Sequence, residues 1–140
     1  MRRLKFTALL PVLWVLFSLS TANAEAINIT AIKMAHDIDG KYLPVNITKS
    51  FPSGTAKVFC WFSWKSAKAN SQVTVRWRYL TEDIPILSYN FSIPRKQGSG
   101  GVALSMPEGK TLPAGSYLVE LFLADKKISS LQFAVLEKTS

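Results

Sequence analysis

The chain reads as an all-β sandwich or barrel, and three observations predict it. Apolar residues recur at every second position. Val73, Val75, Trp77 and Tyr79 alternate with Thr74, Arg76 and Arg78, and Leu87, Tyr89, Phe91 and Ile93 alternate with Ser88, Asn90 and Ser92. A period of two places successive side chains on opposite faces of a strand. Turn-forming stretches separate these runs: Pro52-Ser53-Gly54, the polar 66–71, the Gly-rich 94–101, and 107–115 with its paired prolines and glycines. Beyond the N-terminal segment, no run holds a helical period for more than two turns. Short strands at regular spacing, with no internal repeat, favour two packed sheets or a closed barrel over an α/β layer.

The N-terminal segment is set apart by composition. Arg2, Arg3 and Lys5 precede an apolar run from Ala8 to Leu19, and Ala22-Asn23-Ala24 forms a small-residue cleavage site. This is the pattern of a secretory signal peptide covering residues 1–24, with the remaining chain beginning at Glu25. The alternative, a membrane anchor, fits poorly, because the apolar run falls short of the about 20 residues needed to span a bilayer. Residues 25–140 are then one domain in the periplasm or outside the cell, with no transmembrane segment after cleavage. Removing residues 1–24 takes three of the 17 Lys/Arg and none of the nine Asp/Glu, which leaves a net charge of +5. That excess is scattered, as expected of a solvated surface. An exported protein without a dense basic stripe is not expected to bind nucleic acid.

Residues 25–50 read as an N-terminal strand and loop region: a strand near 27–34, a loop holding His36-Asp37-Ile38-Asp39-Gly40, and an edge strand near 43–48 broken by Pro44. Residues 51–140 carry the sandwich proper. The strand at 55–64 places Val58, Cys60, Phe62 and Trp64 on one face and Lys57, Phe59, Trp61 and Ser63 on the other. Only the first face is free of polar residues, so Cys60 points inward. The strands at 73–79 and 87–93 follow, then PRKQGSGG at 94–101 as the most flexible loop, then a weaker strand at 102–106. Tyr117, Val119, Leu121 and Leu123 share one parity, and Leu131, Phe133 and Val135 continue after the hairpin tip Asp125-Lys126-Lys127. This makes seven or eight strands. The expected core comprises Cys60, Phe62, Trp64, Val75, Trp77, Tyr89, Phe91, Tyr117, Val119, Leu121 and Phe133.

Cys60 is the only cysteine, so no internal disulfide can form. Its surroundings make it a small buried hydrophobe. An intermolecular disulfide and redox chemistry are the alternatives. An immunoglobulin-type sandwich places a core cysteine on strand B, a buried tryptophan on strand C, and a tyrosine two residues before the second cysteine on strand F. Cys60, Trp77 and Tyr117 take those places, and Val119 stands where the second cysteine would be. The order ID-x-G-x-x-x-P-V, F-P-S-G-T-x-x-V, V-x-W, P-A-G-S-Y-x-V and F-A-V, from Ile38 to Val135, resembles bacterial immunoglobulin-like domains of exported proteins, many without an assigned function. The resemblance implies an immunoglobulin-like antiparallel β-sandwich that mediates contacts, and it carries over no catalytic residue.

The residues themselves offer little chemistry. His36 is the sole histidine, and no serine lies in a Gly-x-Ser-x-Gly elbow. Asp37 and Asp39 fall short of the oxygen ligands calcium requires, and one Cys with one His makes no zinc site. No defensible carboxylate pair for glycoside cleavage is present. GSGG at 98–101 lacks the lysine and helix of a phosphate loop. The expectation is therefore no enzyme, no metal and no cofactor. Asn28, Asn46 and Asn90 open N-glycosylation sequons; the basic leader and its Ala-Asn-Ala site look bacterial, where the sequons are expected to go unused, and a eukaryotic source would reverse that expectation.

What remains is the surface. With Cys60 inward, Phe59 and Trp61 face outward. With Trp77 and Tyr117 inward, Arg76, Arg78, Glu120 and Phe122 line the outside of the other sheet. Aromatic and arginine side chains on a sheet face suit protein contacts. Phe59, Trp61, Arg76, Arg78 and Phe122 are the candidate partner-binding residues, unless residues 25–50 or a neighbouring strand cover the first two. The leading expectation is a non-catalytic interaction module of the cell envelope that contacts a protein through a sheet face or edge. Carbohydrate or anionic-polymer binding is the second reading, and a small hydrolase built on His36 the third.

Overall fold

The computed structural model describes residues 26–139, so the signal peptide expected at 1–24 lies outside the described residues. Nine strands are found among them: β1 (Asn28–Ile38), β2 (Pro44–Ile47), β3 (Ser50–Phe51), β4 (Lys57–Lys65), β5 (Gln72–Tyr79), β6 (Ile84–Ser92), β7 (Gly98–Ser105), β8 (Gly115–Leu123) and β9 (Lys126–Val135). They form a four-stranded sheet in the order β2-β1-β4-β7 and a five-stranded sheet in the order β3-β9-β8-β5-β6. Every pairing is antiparallel except the short parallel contact of β3 with β9.

The alternation in the sequence becomes the two faces of each strand. Val58, Cys60, Phe62 and Trp64 of β4 point into the sandwich, opposed by Val73, Val75 and Trp77 of β5 and Tyr117, Val119 and Leu121 of β8, all in one buried cluster. Burying each large apolar side chain stabilises the fold by about 2–3 kcal/mol before the entropy of ordering is subtracted. Aromatic rings organise the two ends of this core. Phe62, Trp64 and Phe91 meet at one end, with centroids 5.1–5.8 Å apart. Phe133 links Phe51, Trp77 and Tyr117 elsewhere. The hydroxyl of Tyr117 donates to the carbonyl of Pro113 four residues upstream, which pins the entry to β8.

Three sequence expectations change. β1 runs on to Ile38, so His36 and Asp37 belong to a strand and not to a loop. Pairing with β2 at Asp37 and Ile38 holds the backbone extended there. The GSGG stretch is the first half of β7 and no loop. Glycine is needed there because neighbours lie against the backbone: a Cβ on Gly100 would meet Phe91 at 2.9 Å, and one on Gly101 would collide with the Cys60 carbonyl. Tyr89, expected in the core, is 53% exposed. It has the core-facing parity, opposite Val75, but it sits on the outermost strand of its sheet.

Candidate functional site

The five candidate contact residues fall on two opposite outer faces. Phe59 and Trp61 lie on the outside of the four-stranded sheet. Trp61 is 8% exposed and buried. Its indole N–H donates to the carbonyl of Tyr42 at 2.7 Å, and the Ser99 hydroxyl donates to the same oxygen. The turn from Asp39 to Leu43 thus folds over Trp61. The carboxylate of Asp39 organises that turn by accepting the backbone N–H groups of Lys41 and Leu43. Phe59 is half-buried, with the Lys57 ammonium 5.0 Å from its ring centroid. Residues 39–43 therefore leave no free aromatic pair on this face.

Arg76, Arg78 and Phe122 do come together, on the outside of the five-stranded sheet. Register places Arg76 beside Glu120 and Phe122 beside Thr74. The guanidinium carbon of Arg76 lies 4.4 Å from the Phe122 ring centroid, a cation–π contact. Arg78 pairs with Asp83 at 2.5 Å, and Lys127 lies 3.7 Å from the nearly buried Glu120 carboxylate. Each charge on this face has a local partner, which blunts it as a docking surface.

A run of exposed apolar side chains lies one strand further out. All of β6 is exposed except Phe91, which is half-buried. Ile84 (46%), Ile86 (36%), Leu87 (43%) and Tyr89 (53%) are accessible. Leu87 and Tyr89 lie opposite Trp77 and Val75 and point toward the interior side. Nothing among the described residues covers them. Only Phe91 reaches across to Phe62 and Trp64. β6 is also an edge, hydrogen-bonded on one side only. Of the other edges, β2 is short and begins with Pro44 and β3 has two residues; β7 is also an edge, but it carries no large exposed apolar side chain. The alternation over 87–93 predicts a half-buried strand. It did not reveal that the strand is outermost, because position within a sheet depends on pairings distant in sequence.

Beside β7, a cleft of about 600 Å³ is lined by Asp39, Lys41, Tyr42, Phe91, Arg95 and Ser99 among others. His36 is exposed, its ring edge-on to Phe51 at 5.0 Å. The Asp37 carboxylate accepts the N–H of Ile38. No cluster of three His, Cys, Asp or Glu side chains suited to a metal is found among the described residues. Cys60 is fully buried, and burial pushes its thiol up to about 12.

Three known structures align with the chain. The crystal structure of an immunoglobulin-like protein from Pseudomonas aeruginosa aligns with a TM-score of 0.54 and 14% identity, covering 81% of this chain and 99% of that one. The fold is immunoglobulin-like. Part of the alkylpurine DNA glycosylase AlkC from Pseudomonas fluorescens, in a structure bound to DNA containing an abasic site analogue, also aligns. Its TM-score is 0.52 at 11% identity, over 84% of this chain and 32% of that one. A Niemann-Pick type C2 protein from the Japanese carpenter ant aligns at a TM-score of 0.43 and 11% identity, over 81% of this chain and 94% of that one. At such identities the likeness concerns the fold alone. No protein-family model and no curated protein sequence matches the chain. No helix among the described residues is long and apolar enough to cross a membrane.

Proposed function

We propose that the chain is an exported, non-catalytic interaction module of the cell envelope, and that it contacts a protein partner through the β6 edge and the sheet face beside it. One observation carries this reading: a nine-residue edge strand with four large apolar side chains exposed. Edge strands offer unpaired backbone N–H and C=O groups, and binding domains recruit peptides by adding a strand there. The signal-like N-terminal segment supports export. The pairing of Arg76 with Phe122 and of Arg78 with Asp83 supports the edge, not the charged face, as the main contact.

The test is capture from the organism's own envelope extract, with bound proteins identified by mass. Wild type is run beside a Leu87→Lys/Tyr89→Lys edge variant and an Arg76→Glu/Phe122→Ser face variant, each shown to be folded by circular dichroism. Loss of a defined partner with the edge variant alone is the expected result. Retention by the edge variant and loss by the face variant would move the site to the sheet face.

A second reading, binding of a carbohydrate or anionic polymer, draws on the cleft beside β7, where Tyr42, Lys41 and Arg95 meet. Such binding would weaken strongly with salt, because exposed charge contacts are screened. Nucleic acid is not a proposed partner, given the scattered charge. The hydrolase reading draws no support from His36, whose ring packs on Phe51.

A further inference from the structure

β6 is uncharged along its whole length, yet its ends are charged with opposite sign. Glu82-Asp83 immediately precede it, and Arg95-Lys96 follow just beyond Pro94. All four of these residues are exposed. The backbone is guarded only at the ends. Pro85 stands near the start, where the register against β5 skips Ile86 as a bulge, and Pro94 stands past the end. Prolines and bulges stop pairing. Between them, Leu87 to Phe91 is an unguarded stretch of edge.

We propose that this edge pairs with a second copy of the chain, β6 against β6, antiparallel about a two-fold axis at Tyr89. The inference rests on the edge-binding reading above and names the occupant. A two-fold interface must be complementary to itself. In this register Leu87 faces the second copy's Phe91, and Tyr89 faces its own counterpart. The same two-fold brings the acidic end of each strand, Glu82 and Asp83, to the basic end of the other, Arg95 and Lys96, twice over. A foreign strand would place no demand that the acidic pair and the basic pair stand equally far from one central residue. The two five-stranded sheets would join into one. Leu87, Tyr89 and Phe91 of both copies would share a face, so the apolar overhang of each sandwich would be covered by that of the other. Asp83 also holds Arg78, which fixes the acidic corner in place.

Sedimentation velocity over a wide concentration range, on the protein as exported, tests this. Wild type is expected to show a monomer–dimer equilibrium. A Glu82→Lys/Asp83→Asn variant makes both ends of the strand basic, and Asn suits the positive φ of 51° at position 83. An Arg95→Glu/Lys96→Glu variant makes both ends acidic. Each alone should weaken the dimer about tenfold or more at low salt, through like charges brought together. An equimolar mixture of the two should regain it, because every end then meets its opposite. That recovery also shows that both variants are folded. High salt should shrink the differences. A wild type that stays monomeric throughout, or a dimer indifferent to both variants, overturns the proposal. If wild type is monomeric while Leu87→Lys/Tyr89→Lys abolishes capture of an envelope protein, the second copy is overturned and the edge reading stands. If the dimer behaves as expected and capture ignores the edge variant, self-pairing stands and the foreign partner of the edge reading falls.

Discussion

Cys60 shows how burial governs chemistry at a single residue. Its thiol is fully buried among apolar groups, and burial raises it from 9.0 to about 12. Only the thiolate is nucleophilic, so the folded protein should resist a thiol reagent such as dithionitrobenzoate and react after denaturation. Equal rates in both states would refute its inward placement. The same shift links stability to pH. A thiol whose folded value is raised holds its proton more tightly folded than unfolded. The stability it contributes is whole below about pH 9 and is lost as pH rises toward 12. Burial, and to a lesser degree the nearby Tyr79, likewise raises Tyr117 from 10.0 to about 12. Urea titrations between pH 8 and 12 should therefore show falling stability, with a shallower fall in Cys60→Ala. Tyr117 also carries a structural bond, from its hydroxyl to the Pro113 carbonyl. Tyr117→Phe should cost about 1 kcal/mol at neutral pH, the worth of one hydrogen bond. No loss would mean that the corner bond contributes nothing.

At the scale of the element, β7 is specified by what packs on it. Its glycines are not there for turns, since none of Gly98, Gly100 and Gly101 adopts a positive φ. Gly101 lies opposite Trp61 in register, and a Cβ there would collide with the Cys60 carbonyl and with Ile38 at 2.6 Å. Backbone cannot yield as a side-chain tip can, so Gly101→Ala should destabilise by about 1–3 kcal/mol or more. Gly40, with nothing within 4 Å of its missing Cβ, is the control, and Gly40→Ala should stay within about 0.5 kcal/mol of wild type. Thermal melts of the two variants decide between packing and flexibility as the reason for the glycine run. By composition the run predicts a loop, because composition alone reports backbone freedom. It does not report which ring lies against the backbone.

The two sheets of the whole molecule are apposed as the immunoglobulin-like pattern requires. Cys60 on β4 and Val119 on β8 are both wholly buried in one core. They occupy the positions that a disulfide bridges in antibody domains. Val119→Cys should therefore close a bridge on oxidation and add about 2–4 kcal/mol in a denaturant titration. Failure to close would show that the two strands meet in a different register. The sequence alone determined the class of the fold, the inward face of β4 and the tyrosine corner. Each is written locally, in a two-residue period or in residues a few positions apart. It also placed Arg76, Arg78 and Phe122 on one face, since parity carries across paired strands. Only the tertiary structure decided that the Asp39–Leu43 turn covers Trp61, that Gly98 to Gly101 lie in a strand, and that β6 is outermost with Tyr89 in the open. These depend on which strands become neighbours. Neighbours are chosen by packing between segments far apart in the chain, where no local period records them.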